Sequence, residues 1–190
     1  LRHAAIIPVG GEYVTSDIAL GVRVSVDVAE KLKTDYADLT FCDQSKPKDE
    51  EIALNRIDKK ETETVSKLYL AQIAQARYKE ILSLVNSELK RLGRDGMLPE
   101  GAVFVGGGSK ARNLIELAKA ELRLPCSIGF PEDQEYVTGT SVSDPGFAGA
   151  IGALLLSQRV GGMNKGRMSI GGGLGGIKDS AKKFFKFLLP

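Results

Sequence analysis

The sequence has 190 residues, of which 43% are hydrophobic and 26% charged, and this composition excludes a wholly disordered chain. Its 26 basic and 24 acidic side chains nearly balance, and 6% aromatics with no Trp do not suggest a base-stacking surface, so we expect no nucleic-acid partner. The single histidine excludes His-based triads and most zinc sites, and no apolar run reaches the roughly 20 residues of a membrane-spanning helix.

The first predicted element is a strand over residues 4–9, which are mostly apolar and end at Pro8 and a pair of glycines. A strand seldom opens a protein without a preceding partner, and the first residue is Leu1 rather than Met. We therefore expect that an N-terminal portion is missing. Two well-separated cysteines, Cys42 and Cys126, indicate thiols of a reducing compartment.

Two helices are predicted next. Residues 15–17 (TSD) offer N-caps for a short helix that stops near Gly21. Asp27 predicts the N-cap of a second helix over residues 28–36, with Glu30 as the third residue of a capping box. A strand over 39–42, a polar loop over 43–50 and a strand over 51–57 follow.

The strongest local pattern predicts a long helix over residues 64–92, ended by Gly93 at the favoured C′ position. Apolar residues recur along it at helical spacing and predict one buried stripe. The stripe consists of Leu70, Ala74, Tyr78, Ile81, Val85, Leu89 and Leu92.

A continuous apolar run over residues 102–105 then predicts a fully buried strand that leads directly into three glycines. A helix over 113–122, a parallel strand over 125–128 and an Ala- and Gly-rich helix over 147–156 complete the predicted domain. This order of elements predicts an α/β fold.

The glycine loop, which we define as Gly106, Gly107, Gly108 and Ser109, is the first candidate site. Residues without a Cβ let a flat or charged ligand approach the backbone closely, and the next helix would present N–H groups to phosphate or ribose oxygens. The spacing fits neither a Walker loop nor a dinucleotide fingerprint. By itself it indicates a structural turn as readily as a ligand site.

The second candidate site combines Gly10 and Gly11 with Glu30 and Lys33. A carboxylate and an ammonium three residues apart could bind the edge of a base and a ribose hydroxyl. The alternative is a solvated i,i+3 pair that adds about 0.2–0.5 kcal/mol to helix stability.

The last part of the chain changes in character. Half of residues 161–176 are glycine, which indicates a flexible tether, and residues 177–190 are periodic again with apolar and Lys faces. A helix of this kind lies in a bilayer interface; docking on the domain's own core is the alternative, which a flexible tether disfavours. The residues expected to contact an anionic membrane are Ile177, Ala181, Lys182, Phe184, Phe185, Lys186 and Leu188.

Several segments together resemble the FtsA family of bacterial division proteins. Residues 7–11 (IPVGG), 15–19 (TSDIA) and 28–33 (VAEKLK) are similar to the second domain of that family. Residues 105–109 (VGGGS) and 144–152 (DPGFAGAIG) look like its adenosine-binding loop and closing helix. The resemblance runs in order over roughly residues 1–157.

The resemblance implies the second domain of an actin-like, ribonuclease-H-like ATPase, a mixed sheet flanked by helices, with ATP in a cleft between two lobes. The glycine loop would flank the adenosine, and Glu30 and Lys33 would lie over base and ribose. Mg²⁺ and the phosphate motifs would belong to the missing N-terminal portion, so we expect at most slow ATP hydrolysis, and no activity from these residues alone.

The implied organisation is a lobe over residues 1–158, a linker over 159–176 and a membrane-targeting helix over 177–190. An inserted subdomain at about 38–63 would receive the C-terminal peptide of FtsZ. The resulting interpretation is a scaffold that polymerises, contacts other division proteins, and tethers the FtsZ ring to the cytoplasmic face of the membrane at the division site. The alternatives are a pilus-assembly actin-like protein and a chaperone-type or kinase-type ATPase.

Overall fold

The structure, a computed structural model, describes residues 2–43, 50–131 and 143–162, with the backbone alone for 158–162. Contacts divide the chain into two units, Leu1–Ile151 and Gly152–Pro190. The helices and strands in the described ranges are, in chain order, α1 (Gly11–Val22), α2 (Val26–Asp35), β1 (Glu51–Ala53), β2 (Thr64–Ser66), α3 (Lys67–Arg91), β3 (Ala102–Phe104), α4 (Leu114–Leu122), β4 (Cys126–Ile128) and α5 (Ala148–Gly162).

The start of the chain differs from the prediction. Residues 4–9 form no strand, and Ile6 is almost fully exposed. A strand requires a neighbour to accept and donate its backbone hydrogen bonds, and no described segment pairs with this one. Helix α1 then begins at Gly11, with Gly10 rather than a residue of the TSD segment at the N-cap, and it continues through Gly21.

Helix α2 begins earlier than predicted because Ser25, not Asp27, is its N-cap. The Ser25 hydroxyl accepts a hydrogen bond from the backbone N–H of Val28 at 3.4 Å. Asp27 instead lies in the first turn, where its charge suits the helix dipole. The predicted capping box of Asp27 and Glu30 is therefore wrong, and Glu30 is free to face α1.

The predicted strand over 39–42 is also wrong. Asp38 forms a single parallel bridge with Arg112, and a short 3-10 helix (Phe41–Asp43) follows. The strand predicted over 51–57 is limited to β1, which pairs antiparallel with β2 so that Ile52 lies opposite Val65. The predicted loop over 43–50 falls mostly in residues 44–49, outside the described residues.

Helix α3 is close to its predicted extent, although its first three predicted residues belong to β2. Ser66 is its N-cap, and Gly93 follows its end with φ of +64°, as the sequence predicted. The stripe is buried in the first half of the helix and becomes more exposed towards Leu92. The buried residues of α3 are Leu70, Ala71, Ala74, Gln75, Tyr78 and Leu82.

Helices α1, α2, α3 and α4 enclose the main core, together with the β1–β2 pair. Arg77 of α3 fixes α1 by a two-pronged ion pair with Asp17, with N–O distances of 2.6 and 3.0 Å. Two parallel N–H···O bonds of this kind restrict orientation as well as distance. The α1–α3 packing is thereby fixed at the end of the domain where Glu30 and Tyr78 lie.

Strands β3 and β4 form a parallel pair, and the prediction of a parallel strand after Pro125 is confirmed. The prediction that the first of these strands is fully buried is wrong, since Val103 and Val105 are 62% and 54% exposed. A continuous apolar run is typical of a strand with other segments packed on both faces, but the run does not identify those segments.

The Ala- and Gly-rich helix is present as α5. Asp144 caps the 3-10 turn Pro145–Phe147 before it, and α5 continues to Gly162. Residues 163–190, which include most of the predicted linker and the entire predicted tail helix, lie outside the described residues. Among the described helices, none has the length and apolar character needed to cross a bilayer.

Candidate functional site

Glu30 and Lys33 lie one turn apart on α2 and face the first turn of α1. Lys33 Nζ donates to the Gly11 carbonyl at 3.2 Å, to Thr15 Oγ1 at 2.8 Å and to Glu30 Oε2 at 2.6 Å. An ammonium group has three N–H donors, so these three bonds use all of them. Lys33 is accordingly only 16% exposed, whereas the Glu30 side chain is half exposed.

Thr15 completes this cluster by donating its hydroxyl to Glu30 Oε2 at 2.5 Å. Both bonds to the carboxylate reach the same oxygen, and no described residue bonds to Oε1. Burial raises the pKa of Glu30, but the hydrogen bonds from Lys33 and Thr15, with the charge of Lys33, outweigh it and lower the pKa below 4.5. Glu30 is therefore an ionised carboxylate with one oxygen available as an acceptor.

Gly10 and Gly11 lie at the N-terminus of α1. Gly10 is the N-cap in an extended conformation, and its carbonyl accepts the first bond of the helix, from Tyr13 N at 3.1 Å. A Cβ on Gly10 would meet nothing within 4 Å, and a Cβ on Gly11 would come no closer than 3.9 Å to Lys33 Nζ. The backbone at this helix start is thus open to approach.

The glycine loop bends sharply as it leaves β3. Gly106 has φ of +91° and ψ of 174°, a conformation in which residues other than glycine are rarely found, and its N–H donates to the Pro145 carbonyl at 2.8 Å. Gly107 and Gly108 are exposed, and a Cβ at Gly107 would meet nothing within 4 Å. The loop therefore presents bare backbone towards open space.

Ser109 is the buried member of the glycine loop. Its hydroxyl donates to the Gly106 carbonyl at 2.7 Å, and the residue is 3% exposed. The bond closes the turn from inside, so the hydroxyl faces the protein. Ser109 therefore shapes the glycine loop, while Gly107 and Gly108 form its open surface.

Tyr78, which the sequence indicated only as part of the apolar stripe, joins the two candidate sites. Its hydroxyl donates to the Gly108 carbonyl at 3.3 Å. Burial raises the pKa of this hydroxyl above 10.0, and the nearby negative charge of Glu30 raises it further. A polar atom within a buried helical stripe was the one signal in the sequence that could have identified this residue.

Two further contacts hold the glycine loop. Lys110 Nζ pairs with Asp144 Oδ2 at 2.7 Å on the surface, and this bond is the main reason that the pKa of Asp144 lies below its usual range. Beyond the loop, Asn113 Nδ2 donates to Asp38 Oδ1 at 2.9 Å and to Thr40 Oγ1 at 3.0 Å. The loop is thus fixed on both sides, and sequence reasoning had indicated neither contact.

The residues expected to contact the membrane, from Ile177 to Leu188, lie outside the described residues. Within the described ranges, no three His, Cys, Asp or Glu side chains come together as a metal site. What the described site offers is exposed backbone, one carboxylate acceptor and a buried tyrosine between them.

The family model for cell division protein FtsA matches residues 1–152. The FtsA of Pseudomonas aeruginosa is 32% identical over 176 residues, which cover 90% of this chain and 40% of the relative. The FtsA of Bacillus subtilis is 31% identical over 147 residues, covering 75% of this chain and 33% of the relative.

Among solved structures, MreB5 of Spiroplasma citri, bound to ADP, aligns with a TM-score of 0.55 at 18% identity. It covers 81% of this chain and 47% of MreB5. At this identity the likeness concerns the fold alone, and it confirms the predicted actin-like fold class. The chain spans less than half the length of each of these relatives. By its family match and its fold, this chain belongs to the FtsA family of cell division proteins and contains part of an actin-like domain.

Proposed function

We propose that this chain forms the second lobe of an actin-like scaffold that binds ATP, polymerises, and tethers the FtsZ ring to the cytoplasmic membrane. The observation that carries the nucleotide part is the bond from Tyr78 to Gly108, because it holds the exposed glycine backbone to a hydroxyl on which the charge of Glu30 also acts. A family match over 152 residues supports a role in division, and the actin-like fold supports a nucleotide cleft.

In this proposal the described residues bind and orient the nucleoside. The backbone of Gly107 and Gly108 flanks the adenine, since no Cβ occupies the space above it. Glu30 Oε1 accepts a hydrogen bond from a ribose hydroxyl. Lys33 acts through Glu30, because all three of its donors are engaged within the protein.

In this proposal, other parts of the protein bind the phosphates and the Mg²⁺ of the nucleotide. MreB5, the similar actin-like structure, was solved with ADP, which supports binding of a nucleoside diphosphate or triphosphate in a related cleft. The proposed chemistry is nucleotide-gated assembly with slow ATP hydrolysis at most. None of the described residues is assigned a catalytic role.

The remaining functions in this proposal come from family membership and from the sequence of the tail. The inserted subdomain at about 38–63 would receive the C-terminal peptide of FtsZ. Residues 177–190, with Phe and Leu on one face and Lys beside it, would lie on an anionic membrane at the division site. Self-association into filaments and contacts with other division proteins complete the scaffold. The family match favours this function over pilus assembly or a chaperone-type ATPase.

The nucleotide part is tested by Gly107→Val in the full-length protein. A Cβ at this position meets nothing in the protein, and its φ is not in the left-handed region, so the fold should tolerate the change. We expect calorimetry to show at least a tenfold loss of ATP affinity, about 1.4 kcal/mol, because the branched side chain occupies the proposed adenine position.

The matched control is Ala120→Val, since Ala120 is exposed on α4 and belongs neither to the glycine loop nor to residues 144–152. Its ATP affinity should stay within about twofold of the parent protein. If Gly107→Val binds ATP as the parent does, the glycine loop is a structural turn and this nucleotide site is wrong.

A further inference from the structure

Tyr78 carries a buried hydroxyl, and the proposed function uses its bond to Gly108 without saying what that bond does for the nucleotide. It lies in the middle of α3 and is 7% exposed, with its ring in the core formed by α1, α2 and α4. Its hydroxyl is directed towards the glycine loop, 30 positions further along the chain, and donates to the Gly108 carbonyl at 3.3 Å. A phenylalanine would fill the same space, so packing alone does not explain the hydroxyl.

The bond from Tyr78 is also unusual in its position. Gly108 is exposed, and among the described residues Tyr78 is the only side chain that bonds to the open part of the loop, Gly107 or Gly108. The other bonds of the loop are internal, run from Gly106 to Pro145, or come from the backbone N–H of Ala111, which donates to the same Gly108 carbonyl at 3.3 Å. Among the described side chains, this hydroxyl is therefore the direct hydrogen-bond link between Gly108 and α3.

We propose that Tyr78 is a positioning residue that holds the Gly108 backbone against α3, and so sets the surface that the glycine loop offers to a purine. This inference rests on the proposed nucleotide site. The hydroxyl stays protonated at neutral pH, because burial and the charge of Glu30 both raise its pKa. It therefore keeps donating to Gly108 under all ordinary assay conditions.

The test compares Tyr78→Phe with Tyr69→Phe in the full-length protein. Tyr69 is a matched control, since it lies on the same helix and also donates its hydroxyl to a glycine carbonyl, that of Gly21, at 3.4 Å. Both changes remove one oxygen and keep the ring. We expect Tyr78→Phe to weaken ATP binding by about three- to tenfold, as for loss of one neutral hydrogen bond, and Tyr69→Phe to leave it unchanged.

A second measurement separates positioning from general stability. Hydrogen exchange of the Ser109 and Ala111 amides, which close the loop, should become faster in Tyr78→Phe without nucleotide, while exchange in α1 stays as in the parent. Tyr69→Phe should leave the loop amides unaffected. Faster exchange confined to the loop supports the proposal, because a merely stabilising tyrosine would affect the whole domain alike.

Three outcomes would overturn the inference. The first is unchanged ATP affinity in Tyr78→Phe while the parent binds ATP, which leaves the proposed function standing. The second is an equal loss in both tyrosine variants, which would indicate a general effect of α3. The third is a parent protein that binds no nucleotide, which would contradict the proposed function as well.

Discussion

Lys33 holds Glu30 through a contact of 2.6 Å between Nζ and Oε2, and the same ammonium reaches back to the Gly11 carbonyl in α1. The pair is therefore not a solvated i,i+3 pair on one helix, which was the simplest interpretation of the sequence. It fastens α2 to the start of α1 and fixes the carboxylate before any ligand arrives. Groups fixed in advance lose less conformational entropy when they bind.

The first prediction concerns the pH dependence that Glu30 confers. Its pKa is lowered in the folded protein, so its stabilising contribution is full above the unfolded value near 4.5 and is lost as pH falls through the folded value. Glu30→Gln should remove this contribution, and we expect less than about 1 kcal/mol at neutral pH because the side chain is half exposed.

Urea unfolding of Glu30→Gln and the parent between about pH 3 and pH 7 measures this difference. Glu51→Gln is the control, since Glu51 is exposed in β1 and no described residue forms an ion pair with it. A stability gap that is constant with pH would contradict the assignment, because the gap should close as Glu30 becomes protonated.

The second prediction concerns Gly101, which lies directly before β3. Its φ is +77°, and a Cβ there would lie 2.1 Å from the Pro125 carbonyl oxygen, which accepts the N–H of Ala102. Gly101→Ala should therefore destabilise the protein by more than about 3 kcal/mol, since backbone must move apart. Gly96→Ala is the control, with a similar φ of +62° and open space.

Gly96→Ala should lower the free energy of unfolding by only about 1–2 kcal/mol, because the alanine is strained in the left-handed conformation. Denaturant midpoints of the two variants give the comparison. Equal losses would mean that the close approach of Gly101 and Pro125 does not exist in solution.

The third prediction concerns the backbone of Gly106. Because its φ and ψ are rarely adopted by other residues, Gly106→Ala should cost about 1–3 kcal/mol even though a Cβ meets no neighbour there. Gly107→Ala, one residue on and without positive φ, should cost less than about 0.5 kcal/mol. Thermal unfolding without nucleotide measures both, and a larger loss in Gly107→Ala would contradict this account of the loop.

The fourth prediction concerns the tail. Deleting residues 177–190 from the full-length protein should abolish sedimentation with anionic liposomes, because the apolar face and the lysines are removed together. Replacing Lys182 and Lys186 by Gln should weaken binding by about fivefold per lysine, corresponding to about 1 kcal/mol each.

Lys119→Gln is the matched control for charge, since Lys119 is an exposed lysine of α4. It should sediment as the parent does. If the deleted protein still pellets with these liposomes, the membrane proposal for the tail is wrong.

The sequence predicted local features well where neighbours in the chain determine them. The end of α3 at Gly93 and the strand after Pro125 depend on residues a few positions apart, and both were found. The strand predicted over residues 4–9 was not found, because a strand depends on hydrogen-bond partners that a local pattern does not reveal.

The sequence predicted the residues of the candidate site but not the hydrogen bonds that join them. Glu30, Lys33 and the glycine loop carry recognisable residue types, so the sequence indicated them. Tyr78 was missed as a functional residue because its hydroxyl bonds to Gly108, 30 positions away, and an apolar stripe predicts burial without predicting such a partner. The engagement of all three Lys33 donors likewise depends on how α1 and α2 pack.

The exposure of Val103 in β3 and of Val105 just after it has a practical consequence. These side chains border Gly129, where a Cβ would overlap both, and the neighbouring Phe130 is 60% exposed. An exposed apolar surface of this kind, here made by described residues, favours self-association as the protein concentration rises. Because salts such as sulfate strengthen the association of apolar surfaces, purification and assays should use dilute protein and low salt.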